Sequence, residues 1–120
     1  MFSLFKKKEK PVASMIYHNS FRLAGVTFEN DDGSSRQKIL GNMKDSELVK
    51  LKEYSFENKT AIGVYTEDEK QIGNIKEKDI PFVLERLKTV IKTEIFNLRS
   101  FYSEELNAQI ITGDVIIYYK

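Results

Sequence analysis

The sequence has no cysteine and no tryptophan, and only one histidine and two prolines among its 120 residues. Without cysteine there are no disulfides, no thiolate zinc sites and no cysteine nucleophile. A cysteine-free chain suits a reducing compartment, and a cytoplasmic location is expected. With His18 alone, a site that needs two histidine ligands has no second one to use. No serine sits in a G-x-S-x-G elbow that would make it a nucleophile. Neither G-x-x-x-x-G-K-[ST] nor G-x-G-x-x-G occurs, so the familiar phosphate cradles are missing. No apolar run approaches the roughly 20 residues of a membrane-spanning helix. These gaps leave a small domain expected to be non-enzymatic, with no cofactor and no metal.

What is present is ordinary in amount and uneven in placement. Hydrophobic residues make up 41% and charged residues 31% of the chain, as in soluble globular domains. A length of 120 residues provides one core. The net charge of +1 hides a division. Residues 1–11 carry Lys6, Lys7, Lys8 and Lys10 against Glu9, a surplus of +3, and the remainder holds 15 basic and 17 acidic residues. The expected organisation is a basic flexible tail over 1–12 and one domain over 13–120. Phe2, Leu4 and Phe5 before the lysines could also form a weak, reversible interfacial anchor. Their order is wrong for a secretory signal, whose charge precedes its apolar stretch.

Strand signals dominate the domain. Met15 to Phe28 is rich in β-branched and aromatic residues, with Gly25 marking a bulge or a close backbone approach. Glu29 to Gly33 reads as a turn. Ser34 with Gln37 fits a capping box, which predicts a short helix over Ser35–Met43 with Ile39, Leu40 and Met43 on one face. Glu47–Tyr54 alternates, with Val49 and Leu51 on one side and Lys50, Lys52 and Tyr54 on the other. Ser55–Lys59 reads as a polar loop carrying Phe56. Residues 60–75 read as a hairpin turning at Glu67–Lys70. Asp79 looks like the N-cap of a helix with Pro81 in its first turn. Its apolar stripe is Ile80, Val83, Leu84, Leu87 and Ile91. Two strands close the chain, Ile95–Tyr102, which places Phe96 and Leu98 together, and Ile110–Tyr119. The predicted fold is mainly β with some α: a small barrel-like or strongly curved antiparallel sheet, of OB or SH3 kind, with two short covering helices.

Few groupings carry chemistry. Glu67, Asp68 and Glu69 follow one another in a turn, so their side chains diverge and no calcium-loop spacing exists. His18 reads as a loop or edge residue. The strand face of Lys50, Lys52 and Tyr54 combines positive charge with a π-surface. Single-stranded nucleic-acid binders use that combination, and Phe28 and Phe56 at strand ends could add stacking area. From pattern alone the plainer description is that the lysines are the solvated side of a half-buried strand and the aromatics belong to the core.

Several segments in order carry a resemblance to a known family. They are Leu23-Ala24-Gly25-Val26-Thr27-Phe28, then Arg36-Gln37-Lys38-Ile39-Leu40, then Leu48-Val49-Lys50-Leu51-Lys52. Lys59-Thr60-Ala61-Ile62-Gly63-Val64-Tyr65 and Gln71-Ile72-Gly73-Asn74-Ile75-Lys76 complete the set. Together, over roughly Phe21 to Leu87, they resemble the HIRAN domain, a β-rich module found beside certain remodelling helicases and alone in bacterial proteins. The resemblance implies a barrel-like sheet and binding of single-stranded or 3′-end DNA without catalysis. Taken with the basic and aromatic strand face, the expected site is Phe28, Lys50, Lys52 and Tyr54, with Phe56 and Asn58 of the 53–58 loop and Lys76 at the rim. The chain departs from the DNA-end pattern at five positions. Thr27 stands where that pattern has a phosphate-binding arginine, Glu57 where it has tyrosine, and Asn58 where it has aspartate. Asn74 and Glu77 stand where it has histidine and lysine. The alternative expectation is a protein-interaction domain that keeps the fold and has lost the end site, with a protein partner in place of DNA.

Overall fold

The computed structural model describes residues 15–120, so the basic tail expected over 1–12 lies outside the described residues. Six strands run in chain order: β1 Tyr17–Ala24, β2 Val49–Phe56, β3 Lys59–Thr66, β4 Gln71–Ile75, β5 Val90–Ser103 and β6 Ala108–Tyr119. Two short α-helices intervene, α1 Arg36–Gly41 and α2 Ile80–Arg86, the second flanked by single 3₁₀ turns. The strands form one antiparallel sheet in the order β2-β3-β4-β1-β6-β5. β1 links its two halves. Tyr17–Arg22 pair with β6, and Leu23 and Ala24 pair with Ile75 and Asn74 of β4.

The sheet curls without closing. Ser46 N donates to Ile95 O at 2.8 Å and Ile95 N to Glu47 O at 2.9 Å, and a single bridge joins Leu48 to Glu94. The edges β2 and β5 therefore meet only at the start of β2. No ladder partner lies beyond that point on the outer side of β2 among the described residues. The expected strongly curved, mainly β sheet with two covering helices is what the chain forms. Among the described residues, no helix is long and apolar enough to cross a membrane.

Element boundaries differ from the sequence reading for local reasons. The first strand stops at Ala24, four residues before Phe28, because Gly25 takes φ +64° and turns the chain. Ser35, not Ser34, caps α1, accepting from Lys38 N at 3.2 Å. The Ser34 hydroxyl is drawn to Asp32 instead, at 2.6 Å. The expected polar loop over Ser55–Lys59 shrinks to two residues. Phe56 pairs with Lys59 in the ladder, and Glu57 and Asn58 both take positive φ, as a tight hairpin turn requires. α2 ends at Arg86, before Leu87 and Ile91, and Ile91 is exposed at an irregularity in β5. A second irregularity, with Asn97 at φ +57°, separates Phe96 from Leu98. Phe96 is exposed while Leu98 packs on the core.

The core takes one buried face from each half-sheet. Ile62, Val64 and Ile72 meet Ile95, Val115 and Ile117, and Leu23 and Ile75 lie at the join. Leu40 joins this core from α1, and Val83 joins it from α2. Phe82 of α2 packs against Phe21 and Tyr119, and Arg86 stacks 3.5 Å from its ring centre. Burying a branched aliphatic side chain of this size stabilises by about 1.5–3 kcal/mol. Leu40→Ala, which leaves an unfilled space beneath α1, is expected to lower unfolding free energy in urea by about 2–5 kcal/mol. Thr112 gives the opposite sign. It is 1% exposed, and its hydroxyl has no hydrogen-bond partner among the described residues. Thr112→Val, which removes that orphan at constant shape, is expected to raise stability by about 1 kcal/mol in the same assay.

Candidate nucleic-acid interface

The site is built around an arginine that breaks a local rule. Arg36 occupies the first helical position after the Ser35 cap, where the helix dipole disfavours a cation, yet it is only 7% exposed. Tertiary partners hold it there. Nη1 donates to Gly25 O at 2.8 Å and to Asn74 Oδ1 at 3.1 Å, and Nε donates to Asn30 Oδ1 at 2.8 Å. The Phe28 ring lies 5.7 Å from the guanidinium carbon. Asn30 is held in turn, donating to Ser34 Oγ at 3.0 Å and Gln71 O at 2.9 Å. Burial pushes the Arg36 pKa below that of an ordinary guanidinium, partly offset by Tyr54, Tyr65 and Asp31 nearby. The next residue, Gln37, fixes the helix from its other side. Its amide donates to Val26 O at 2.9 Å and Ile111 O at 2.8 Å, and its oxygen accepts from Ile111 N at 2.7 Å.

A phenol and amide cluster continues from Arg36 across the sheet. Asn74 Nδ2 donates to the Tyr54 hydroxyl at 2.6 Å, and Gln71 Nε2 approaches the same oxygen at 3.5 Å. Tyr65 folds over Gly63, where a Cβ would lie 2.7 Å from its ring. Burial raises the Tyr65 pKa, and Tyr54 beside it adds to the effect. Ala61, Gly63, Tyr65, Gln71 and Asn74 lie on the face of the sheet that Tyr54 occupies, opposite the core.

Tyr54, Ala61, Tyr65, Gln71 and Asn74 line an open groove of about 770 Å³ together with Arg36 and Gly25. It brings together Phe28, Tyr54 and Phe56 of the expected site, with Glu57, Asn74 and Glu77 from the departing positions. Phe28 is 64% exposed and Phe56 is 59% exposed, so both offer ring surface. Lys50, Lys52, Asn58 and Lys76 fall outside the lining. Lys50 and Lys52 share Tyr54's face as alternation requires, but both pair with Glu69, Lys50 at 2.7 Å. Asn58 serves the β2–β3 turn at φ +63°. Lys76 is half-buried just after β4. His18 lies exposed in β1 opposite Tyr118.

The lining carries six carboxylates, Glu29, Asp31, Asp32, Glu57, Glu69 and Glu77, and three cations, Arg36, Lys59 and Lys70. Its formal charge is −3. Lys70 contacts Asp32 at 2.8 Å and, with the Ser34 bonds, holds that carboxyl well below the usual carboxylate range. Among the described residues, Arg36 is the lining cation with no carboxylate in ion-pair contact. Sequence reading placed Arg36 only on the short helix and assigned it no role. Its one local signal is an unfavourable charge in the first turn of a helix.

Gly25 is the tightest point of the network. At φ +64°, an added Cβ would lie 3.1 Å from Asn74 Oδ1 and 3.3 Å from Arg36 Nη1. Gly33 also has positive φ, +87°, but an added Cβ there meets nothing within 4 Å. Gly25→Ala is expected to cost about 1–3 kcal/mol and more than Gly33→Ala, because only the first adds crowding to backbone strain. Equal losses in urea titrations would show that the guanidinium network yields freely. No family model matches the chain, and neither a curated protein nor a solved structure matches it.

Proposed function

We propose that this chain is a non-enzymatic, cytoplasmic, HIRAN-type module that binds the end of a single DNA strand in the Phe28–Tyr54–Phe56 groove. The observation that carries the reading is the pairing of two exposed phenylalanines with a buried arginine that has no carboxylate partner. Bases stack on aromatic faces at about 1–3 kcal/mol each, and a desolvated guanidinium is a strong phosphate ligand. The resemblance to HIRAN sequences supports the same reading. Charge sets the mode of binding. A lining at −3 adds repulsion for each further phosphate, so it favours one strand end over a long track of backbone. Lys50 and Lys52, tied to Glu69, stand at the margin.

A second reading rests on the same charge. Six carboxylates beside exposed aromatics also suit a basic segment of a protein partner, with lysine or arginine over the rings. Fluorescence anisotropy separates the two. Labelled short single strands are expected to bind at low ionic strength, with log K against log salt falling by only about 0.7–1.4, the slope for one or two phosphates. Phe56→Ala is expected to weaken binding by about fivefold or more. No binding of any strand at low salt, together with binding of a labelled oligolysine peptide, would replace the first reading by the second.

A further inference from the structure

The hydrogen-bond directions within the groove are set by the arginine. A guanidinium has donors only, so Asn74 must present Oδ1 to Arg36 Nη1. Its Nδ2 then points to Tyr54, whose oxygen accepts at 2.6 Å. Gln71 Nε2 approaches that same oxygen. With its oxygen engaged as acceptor, the Tyr54 hydroxyl is left to donate its own proton, and Tyr54 lines the groove. Arg36 has five N–H donors, and three are used, by Asn30, Gly25 and Asn74. Its Nη2 has no acceptor among the described residues and is not among the fully buried unpartnered atoms, and Arg36 lines the groove. The groove floor therefore offers two N–H donors and one O–H donor, linked through one amide, with a buried positive charge behind them.

We infer that Arg36 Nη2 and the Tyr54 hydroxyl form a seat for one terminal phosphate group of a nucleic-acid strand, an inference that rests on the strand-end reading above. A phosphomonoester carries about −1.5 to −2 charge at neutral pH and three acceptor oxygens, which suits a cation with two free N–H donors beside one free O–H donor. An internal phosphodiester carries less charge. It also draws a second flanking nucleotide, and another phosphate, past Glu29, Glu57 and Glu77. A terminal phosphate enters with one neighbour only. The match of free donors to acceptor oxygens thus selects the end group, and the acidic surround limits how much further backbone can follow it.

The test uses the whole chain and three dithymidine probes, one with a 5′-terminal phosphate, one with a 3′-terminal phosphate and one with neither. Isothermal titration is expected to show one phosphorylated probe binding about tenfold or more tightly than the unphosphorylated one, and which probe it is identifies the end. Tyr54→Phe keeps the ring and removes the donor. It is expected to cut that preference by about threefold to tenfold, and Arg36→Lys is expected to abolish it. Thermal melts of both variants check folding. If Arg36→Lys unfolds, the Tyr54→Phe ratio alone decides. Equal affinities for all three probes would overturn the seat while leaving strand-end binding in place. Absence of binding by every probe and by longer single strands would overturn the strand-end reading and the seat with it.

Discussion

A single guanidinium ties together the segments that the β-ladder leaves loose. Arg36 reaches from α1 to the carbonyl of Gly25 at the end of β1, to Asn30 in the following loop and to Asn74 of β4. β1 and β4 share only two register pairs, so the join between the half-sheets is thin where this arginine sits. A buried cation is costly unless its donors are satisfied, and those bonds specify one arrangement of loop, helix and strand. Gln37 repeats the device on the other flank, fastening the helix to β6. A helix of six residues has little stability of its own. It holds its place through Leu40 in the core and these two neighbouring polar residues.

The same arrangement produces the groove. Gly25 turns the chain away from the sheet, which frees Phe28 from the strand and sets it above Arg36. The two-residue turn at Glu57–Asn58 keeps Phe56 at the end of β2, on the groove's far side. Asn74 connects arginine to phenol, so the charge and the hydroxyl are positioned as one unit. The exposed lysines are less informative than their number suggests. Long solvated side chains find a nearby carboxylate, here Glu69, and such surface pairs contribute little. Charge that is buried and left without a counter-charge says more about a ligand than charge on the surface.

Much of the fold was legible from pattern. Alternation in Val49–Tyr54 and Thr60–Thr66 located β2 and β3, the Glu67–Lys70 turn located the hairpin, and Asp79 with Pro81 located α2. Boundaries failed where a single backbone conformation decided them, as at Gly25, Glu57, Asn58 and Asn97. Ser34 and Ser35 are equivalent by sequence, and Asp32 chose between them by taking the Ser34 hydroxyl. The candidate site was half legible. The aromatics Phe28, Tyr54 and Phe56 were found because ring-bearing residues near strand ends are visible in sequence. Lys50 and Lys52 lie outside the lining, paired with Glu69 in another element's turn, a contact that spacing does not show.

Composition and periodicity alone determined that this chain is cysteine-free and strand-rich, with a slightly acidic stretch after residue 11 and no recognisable catalytic motif. Those properties depend on residue type and on spacing along the chain, which a sequence states directly. Only the tertiary structure decided that Arg36 is buried with no carboxylate in ion-pair contact, that Lys50 and Lys52 both pair with Glu69, and that the groove lining is negative. These depend on contacts between residues far apart in sequence, such as Arg36 with Asn74 and Lys50 with Glu69. They exist only once the sheet has curled and brought its segments together.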